Sequence, residues 1–271
     1  MQTLSEIRDL LAQRGLRPKH RLGQNFLHDK NQLRKLVDVA AVSPGEVVLE
    51  IGPGTGTLTE TLVEVGATVI AAEIDDDLAD IVTERLGAAV TLVRGDCLDR
   101  GRVLSPALLA AIDGRPFKLV ANLPYQVASP VIATLLLAPV GCTGQFVTIQ
   151  QEVADRLLAP PGGKTYGPLG IIVQALAEVE RIAVVRPGSF WPAPQVTSAM
   201  VAIRPRANCD LEDPPAFARF VRDLFSRRRK QLGTIFGRDT TWPEGITGDR
   251  RPDALSVAEL VSLWRTGMTP R

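Results

Sequence analysis

The chain has little from which to build several common kinds of site. Its 271 residues include only two histidines, His20 and His28, both near the start. A Ser-His-Asp hydrolase or a multi-histidine metal centre is hard to assemble from so few imidazoles. The three cysteines, Cys97, Cys142 and Cys209, are odd in number and far apart, with no C-x-x-C pair. They suggest reduced thiols, and neither a disulfide framework nor a zinc site; no metal is expected. No stretch holds the roughly 20 apolar residues that a membrane helix needs. The best candidate, Val131 to Val140, is short and contains Pro139. Glu6, Arg8 and Asp9 precede any apolar run, so the start does not read as a secretory signal and a cytoplasmic location is expected.

Charge of one sign is also lacking. The formal net charge is +1, which excludes a uniformly basic coat for nucleic acid. The basic residues are instead clustered. Arg14, Arg17, Lys19, His20 and Arg21 form one group, and Arg227, Arg228, Arg229 and Lys230 form another. Such runs are often plain solvated faces. On an otherwise neutral chain they are also what a localised phosphate-binding surface requires.

What is present is an alternation of short apolar strands and helices. Thr3 to Arg14 has the spacing of a short helix stopped by Gly15, and Asp29 reads as the N-cap of a helix to about Val42. Strands are expected at Val47 to Ile51, Thr68 to Ala72, Val90 to Val93, Pro116 to Ala121 and Gln145 to Gln150. Helices between them, including Thr57 to Val65 and Asp75 to Leu86, argue for a parallel sheet covered on both faces. After Gln150 the rhythm changes. Helices are expected over Gln151 to Leu158 and Leu169 to Val179. Arg181 to Val185 and Val196 to Ile203 then read as an antiparallel hairpin at the sheet edge. The expected division is a sheet domain over 1–206 and a small, basic, helical domain over 207–271.

Two loops carry the chemistry. Glu50-Ile51-Gly52-Pro53-Gly54-Thr55-Gly56 joins the first strand to its helix. Its glycines permit a sharp turn and close approach of a ligand to free helix N–H groups. The dinucleotide fingerprint would need a small residue at position 57, which is Thr57. An acidic residue followed by alternate glycines instead resembles motif I of the class I methyltransferases, which implies a Rossmann-like sheet and S-adenosyl-L-methionine. Glu73, followed by Ile74, ends the second strand, where a carboxylate can accept bonds from both ribose hydroxyls. Asp96 and Cys97 follow the third, where they could meet an adenine edge.

The second loop is Asn122-Leu123-Pro124-Tyr125, after the fourth strand. It could be an ordinary strand-ending turn, since Asn and Pro are common there. An adenine N6 amine, however, is a poor nucleophile because its lone pair is delocalised. The Asn122 amide oxygen and a carbonyl beside Pro124 could accept its two N–H bonds and favour a pyramidal nitrogen. Tyr125 offers a stacking face to an extruded base. This corner resembles the Asn/Asp-Pro-Pro-Tyr amino-methyltransferases.

Together with Leu22-Gly23-Gln24-Asn25-Phe26-Leu27, Tyr166-Gly167, Phe190-Trp191-Pro192-Ala193-Pro194 and Phe225-Ser226-Arg227-Arg228-Arg229-Lys230, these loops make the chain similar to the KsgA family of small-subunit rRNA adenine N6,N6-dimethyltransferases. The resemblance implies dimethylation of two adjacent adenosines near the 3′ end of 16S rRNA in a precursor ribosomal subunit, by a monomer. It implies cofactor contacts at Gln24, Asn25, Leu27, Gly52, Gly54, Gly56, Glu73, Ile74, Asp96, Cys97 and Asn122. Phe190 would flank the target base beside Leu123, Pro124 and Tyr125. Arg17, Lys19, Arg21, Lys164, Tyr166 and Arg227 to Lys230 would meet RNA.

The chain departs from the family pattern at Gln126, Ala128, Gln151, Gly170, Gln195 and Thr197; none of these changes removes a cofactor or amine-binding group. Two alternatives share the fold: an Erm-type methyltransferase acting on large-subunit rRNA, and a non-catalytic ribosome-assembly or transcription factor.

Overall fold

The structure is a computed structural model that describes residues 1–100, 103–207, 209 and 211–270. In chain order it begins with α1 (Leu4–Gln13), β1 (Phe26–Leu27), α2 (Lys30–Ala40), β2 (Val47–Ile51), α3 (Thr57–Glu64), β3 (Thr68–Glu73), α4 (Asp76–Leu86) and β4 (Val90–Arg94). There follow α5 (Pro106–Ile112), β5 (Phe117–Asn122), α6 (Tyr125–Leu137), β6 (Cys142–Gln150), α7 (Gln151–Leu157) and α8 (Pro168–Leu176). The last elements are β7 (Ala177–Val185), β8 (Phe190–Trp191), β9 (Ser198–Pro205), α9 (Pro214–Ser226), α10 (Leu232–Phe236) and α11 (Val257–Arg265). Helix starts follow their caps. Thr3 and Glu6 form a capping box on α1, and Asp29 and Asp75 accept N–H bonds at the starts of α2 and α4.

Seven strands form one sheet in the order β4-β3-β2-β5-β6-β9-β7. β2, β3, β4, β5 and β6 are parallel, and β9 runs antiparallel to β6. This is the mostly parallel α/β sheet with an antiparallel edge that the alternation implied. α2 and α3 cover one face, burying Leu33, Leu36, Leu58 and Leu62 against Val48, Val120, Phe146 and Met200. α1 packs Ile7 and Leu11 on Leu78 and Ile81 of α4.

Two local expectations need correction. The helix expected to reach Val179 ends at Leu176, and the strand expected from Arg181 begins at Ala177. Ala-Glu-Val-Glu suits either state by propensity, and pairing at the sheet edge selects the strand. The loop between β7 and β9 is also more than a connection. Within it β8 pairs antiparallel with β1, Phe26 opposite Trp191 and Leu27 opposite Phe190. Two residues per strand are too few for any periodic signal.

The chain groups into two compact units, residues 1–154 with 180–204, and residues 155–179 with 205–271. A single cut at 206/207 differs from this grouping, because the second unit also takes in 155–179. Its α8 packs against α9 and α11. There Tyr166 donates to the Leu255 carbonyl at 2.8 Å and meets Phe225 edge-on, while Phe217 meets Trp264 edge-on. Among the described residues, no helix is long and apolar enough to cross a membrane.

In the second unit α8 lies so close to the chain before it that a Cβ on Gly170 would sit 2.1 Å from the Arg156 carbonyl oxygen. Gly170→Ala is therefore expected to destabilise the protein by about 1–3 kcal/mol, the usual scale of overpacking. Chemical denaturation measures this, and an unchanged midpoint would show that the two segments separate freely.

Candidate functional site

β2, β3, β4 and β5 end at one edge of the sheet, and the strand order reverses between β2 and β5. Open α/β sheets form a crevice at such a reversal, because consecutive connections leave to opposite faces. Here the crevice is a cavity of about 190 Å³. Its wall takes residues from every one of those strand ends and from the segment before β1.

Gly52 and Gly54 have φ of 72° and 61°, backbone that favours glycine. Their missing side chains matter as much. A Cβ on Gly52 would lie 2.9 Å from Pro124 Cγ, and one on Gly54 would lie 3.0 Å from the Phe26 ring. The glycine turn and the Asn-Leu-Pro-Tyr corner are thus in contact across the floor of the cavity. The turn is braced from behind. Gln2 accepts from the hydroxyls of Thr55 and Thr57, both at 2.7 Å, and Arg85 donates to the Thr55 carbonyl. Gln2 lies far from any motif, so nothing in the sequence marked it.

Glu73 is 4% exposed at the end of β3. One carboxylate oxygen accepts from Gly54 N–H at 3.2 Å and the other from Asp75 N–H at 2.9 Å. Burial raises its pKa, and the main-chain donors oppose that rise. Each oxygen keeps a lone pair for a ligand. Asp96 follows β4 with one oxygen on Leu98 N–H at 3.0 Å, next to buried Cys97. Burial pushes the Cys97 thiol up to about 12, so it is a neutral wall group.

Asn122, the last residue of β5, donates its amide N–H to the Asn25 carbonyl at 3.0 Å. Its Oδ1 is buried with no hydrogen-bond partner. A buried amide oxygen without a partner is costly unless something else supplies the donor. Tyr125 is half-buried, its hydroxyl 2.7 Å from Ser198 Oγ.

Most of the anticipated cofactor residues line this one cavity: Gln24, Asn25, Gly52, Gly54, Glu73, Ile74, Asp96, Cys97 and Asn122. Leu22, Phe26, Leu78, Gln126 and Val127 join them without having been singled out as ligands. Other expected site residues differ in burial and pairing. The Leu27 and Leu123 side chains are buried, which leaves their main chain for any ligand contact, and Gly56 caps α3 against Arg85. Phe190, expected beside a base, is 3% exposed and packs in the core with Leu27 and Met200, drawn in by the β1–β8 pairing. Tyr166, expected on RNA, is fully buried in the second unit. Lys19 is paired with Asp75 and Asp77, and Arg228 with Asp253. Arg17, Arg21, Lys164, Arg229 and Lys230 are exposed and Arg227 is half-buried. No group of three or more His, Cys, Asp or Glu side chains among the described residues could hold a metal ion.

The chain is similar to known proteins over most of its length. The sequence model of a family described as ribosomal RNA adenine dimethylase matches residues 15–265. A protein of Cutibacterium acnes named ribosomal RNA small subunit methyltransferase A is 40% identical, covering 94% of this chain and 91% of its own length. Its namesake from Moorella thermoacetica is 37% identical, covering 95% of each chain. Among solved structures, a dimethyladenosine transferase from Plasmodium falciparum superposes with a TM-score of 0.72 at 24% identity, covering 90% of this chain and 98% of its own. The 23S rRNA methyltransferase ErmE gives 0.67 at 25% identity, covering 89% and 98%.

Glu50, under the glycine turn, is 2% exposed and has an unpartnered oxygen. Burial, with the nearby Glu73 charge, pushes its pKa up to about 8. An unfolded Glu ionises from about pH 4.3, whereas the folded one stays neutral to about pH 8. Stability is thus lost progressively as pH rises through that window. Glu50→Gln is expected to raise the Tm at pH 8 and to change it little at pH 4. Equal shifts at both values would show that Glu50 is charged in the folded protein.

Proposed function

Since the chain belongs to the ribosomal RNA adenine dimethylase family, over residues 15–265, we propose that it uses S-adenosyl-L-methionine to dimethylate the N6 amines of two adjacent adenosines near the 3′ end of 16S rRNA. The setting is a precursor small ribosomal subunit in the cytoplasm, and the enzyme acts as a monomer. The observation that carries this reading is Asn122: an amide whose nitrogen is already bonded to the Asn25 carbonyl and whose buried oxygen lacks a donor. An exocyclic amine is the donor such an oxygen needs.

The cavity suits the cofactor by its donor set. The turn with Gly52 and Gly54 offers bare backbone to a methionine portion, Glu73 keeps an acceptor on each oxygen for a ribose diol, and Asp96 keeps one for an adenine amine. When bound, the sulfonium group supplies an already activated methyl. The work left to this chain is positioning. Asn122 Oδ1 accepts one N6 hydrogen. The Pro124 carbonyl is committed to Val127 N–H at 3.1 Å, which leaves the Leu123 carbonyl as the neighbouring main-chain acceptor for the other. Two accepted bonds draw the lone pair out of the ring and point it along the line of transfer, and the displaced proton passes to solvent. Tyr125, held by Ser198, stacks on the extruded base.

RNA phosphates meet the exposed cations Arg17, Arg21, Lys164, Arg229 and Lys230 and the half-buried Arg227, so affinity falls with salt. Arg228, paired with Asp253, contributes less. Relatives near 40% identity that carry the small-subunit name favour this substrate over the large-subunit alternative. A pure assembly factor would have no use for the unpaired amide oxygen.

Incubation of purified 30S precursor and 50S subunits with labelled cofactor, followed by mass spectrometry of the nucleosides, tests the proposal. Dimethyladenosine is expected in 16S rRNA alone, and label confined to 23S rRNA would overturn it. Asn122→Ala is expected to lower transfer by at least about 10²-fold, on the scale of removing a transition-state hydrogen bond, with the melting temperature retained. Glu73→Ala is expected to weaken cofactor binding about 10- to 100-fold by calorimetry, as loss of charged hydrogen bonds implies.

A further inference from the structure

Asn122 can present its oxygen only if its nitrogen is held, and the holder is the main-chain carbonyl of Asn25. Asn25 belongs to no long element. It lies between a left-handed Gly23 and the two-residue β1, and its own side chain bonds the Gly23 carbonyl at 3.0 Å. Something must keep this short stretch in place against the sheet.

The fastening is a closed ring of polar contacts. Lys19 Nζ lies 2.6 Å from Asp75 Oδ1 and 2.7 Å from Asp77 Oδ2. Gln24 accepts from Lys19 N–H at 2.6 Å and donates to Asp75 Oδ2 at 2.6 Å. Asp75 is 4% exposed, and its own N–H is bonded to Glu73. Residues 19 and 24 are therefore pinned, one by charge and one by amide, to the same buried carboxylate at the start of α4.

From this ring, and building on the reading of the site given above, we propose that Lys19 and Asp75 are positioning residues for methyl transfer: their ion pair mounts the 19–25 segment whose Asn25 carbonyl aims the Asn122 amide. Lys19, with its side chain partly exposed, accordingly has its charge answered by two carboxylates and not by RNA phosphate. A buried carboxylate needs a cation beside it. Without Lys19 the ring opens, Asn25 moves, and the Asn122 amide loses its fixed orientation.

The test compares Lys19→Met, Lys19→Arg and Asp75→Asn in the full-length protein with 30S precursor as substrate. Asn caps a helix as well as Asp does, so Asp75→Asn keeps the start of α4. Both charge-removing variants are expected to lower kcat about 10- to 100-fold, the scale of a misplaced reacting group. KM for RNA and the slope of its salt dependence should stay at wild-type values, and Lys19→Arg should restore most of kcat. A raised KM with unchanged kcat in Lys19→Met would overturn the proposal in favour of a phosphate contact, as would wild-type kcat in both variants. A readout independent of activity is the ¹⁵N resonance of the Asn122 side-chain amide. It should show one strongly bonded proton in the wild type and lose it in Lys19→Met. Retention of that signal would overturn the mounting role, whereas its loss in a protein whose wild type methylates no RNA would uphold the mounting role and sink only the function assigned to the site.

Discussion

The site depends on one close approach, Gly52 against Pro124. β2 and β5 are neighbouring parallel strands, with Val47, Val48 and Leu49 opposite Phe117, Lys118 and Leu119. Their C-terminal turns therefore leave the sheet side by side, within the roughly 4.8 Å that separates paired strands. A side chain on the first turn would occupy the space of the proline ring on the second. Because Gly52 has none, the loop that would hold a donor and the corner that would hold an acceptor share a wall. The parallel register brings them together, and the absent Cβ lets them touch.

Electrostatics then decide what this small space accepts. Glu50, Glu73 and Asp75 are all buried around the ends of β2 and β3, and they are handled differently. Asp75 has a lysine and an amide, Glu73 has two main-chain N–H donors, and Glu50 keeps an oxygen without a partner. Desolvation penalises charge in proportion to how little answers it. Glu50 accordingly favours its neutral form at pH 7, while Lys19 answers the Asp75 carboxylate. A hydrogen bond made in such a setting is stronger than one made in water, which gives weight to a single amide oriented by a single carbonyl.

The burial and pairing that the sequence did not reveal share a physical cause. Phe190 and Tyr166 are large aromatic groups in motif-like stretches, and either could stack on a base. Each is instead buried, Phe190 through a two-stranded pairing and Tyr166 through a hydroxyl bonded to the Leu255 carbonyl. Lys19 and Arg228 sit in basic runs that read as phosphate-binding, yet each faces a carboxylate distant in sequence, 56 and 25 residues away. A run of like charges does not reveal which members have partners across the fold. Gln2 is the converse case, a residue in no motif that two threonines of the glycine turn make structurally important.

Local patterns alone determined the parallel strands of the sheet and the helices between them, the glycine turn, and the carboxyl-end positions of Glu73, Asp96 and Asn122. They did so because apolar periodicity, capping residues and turn chemistry act over a few residues. Only the tertiary structure decided which of the named side chains face the cavity, which cations remain free, where 155–179 belongs, and how Asn122 is turned. Those outcomes depend on burial and on partners brought close by folding, and no window of neighbouring residues contains that information.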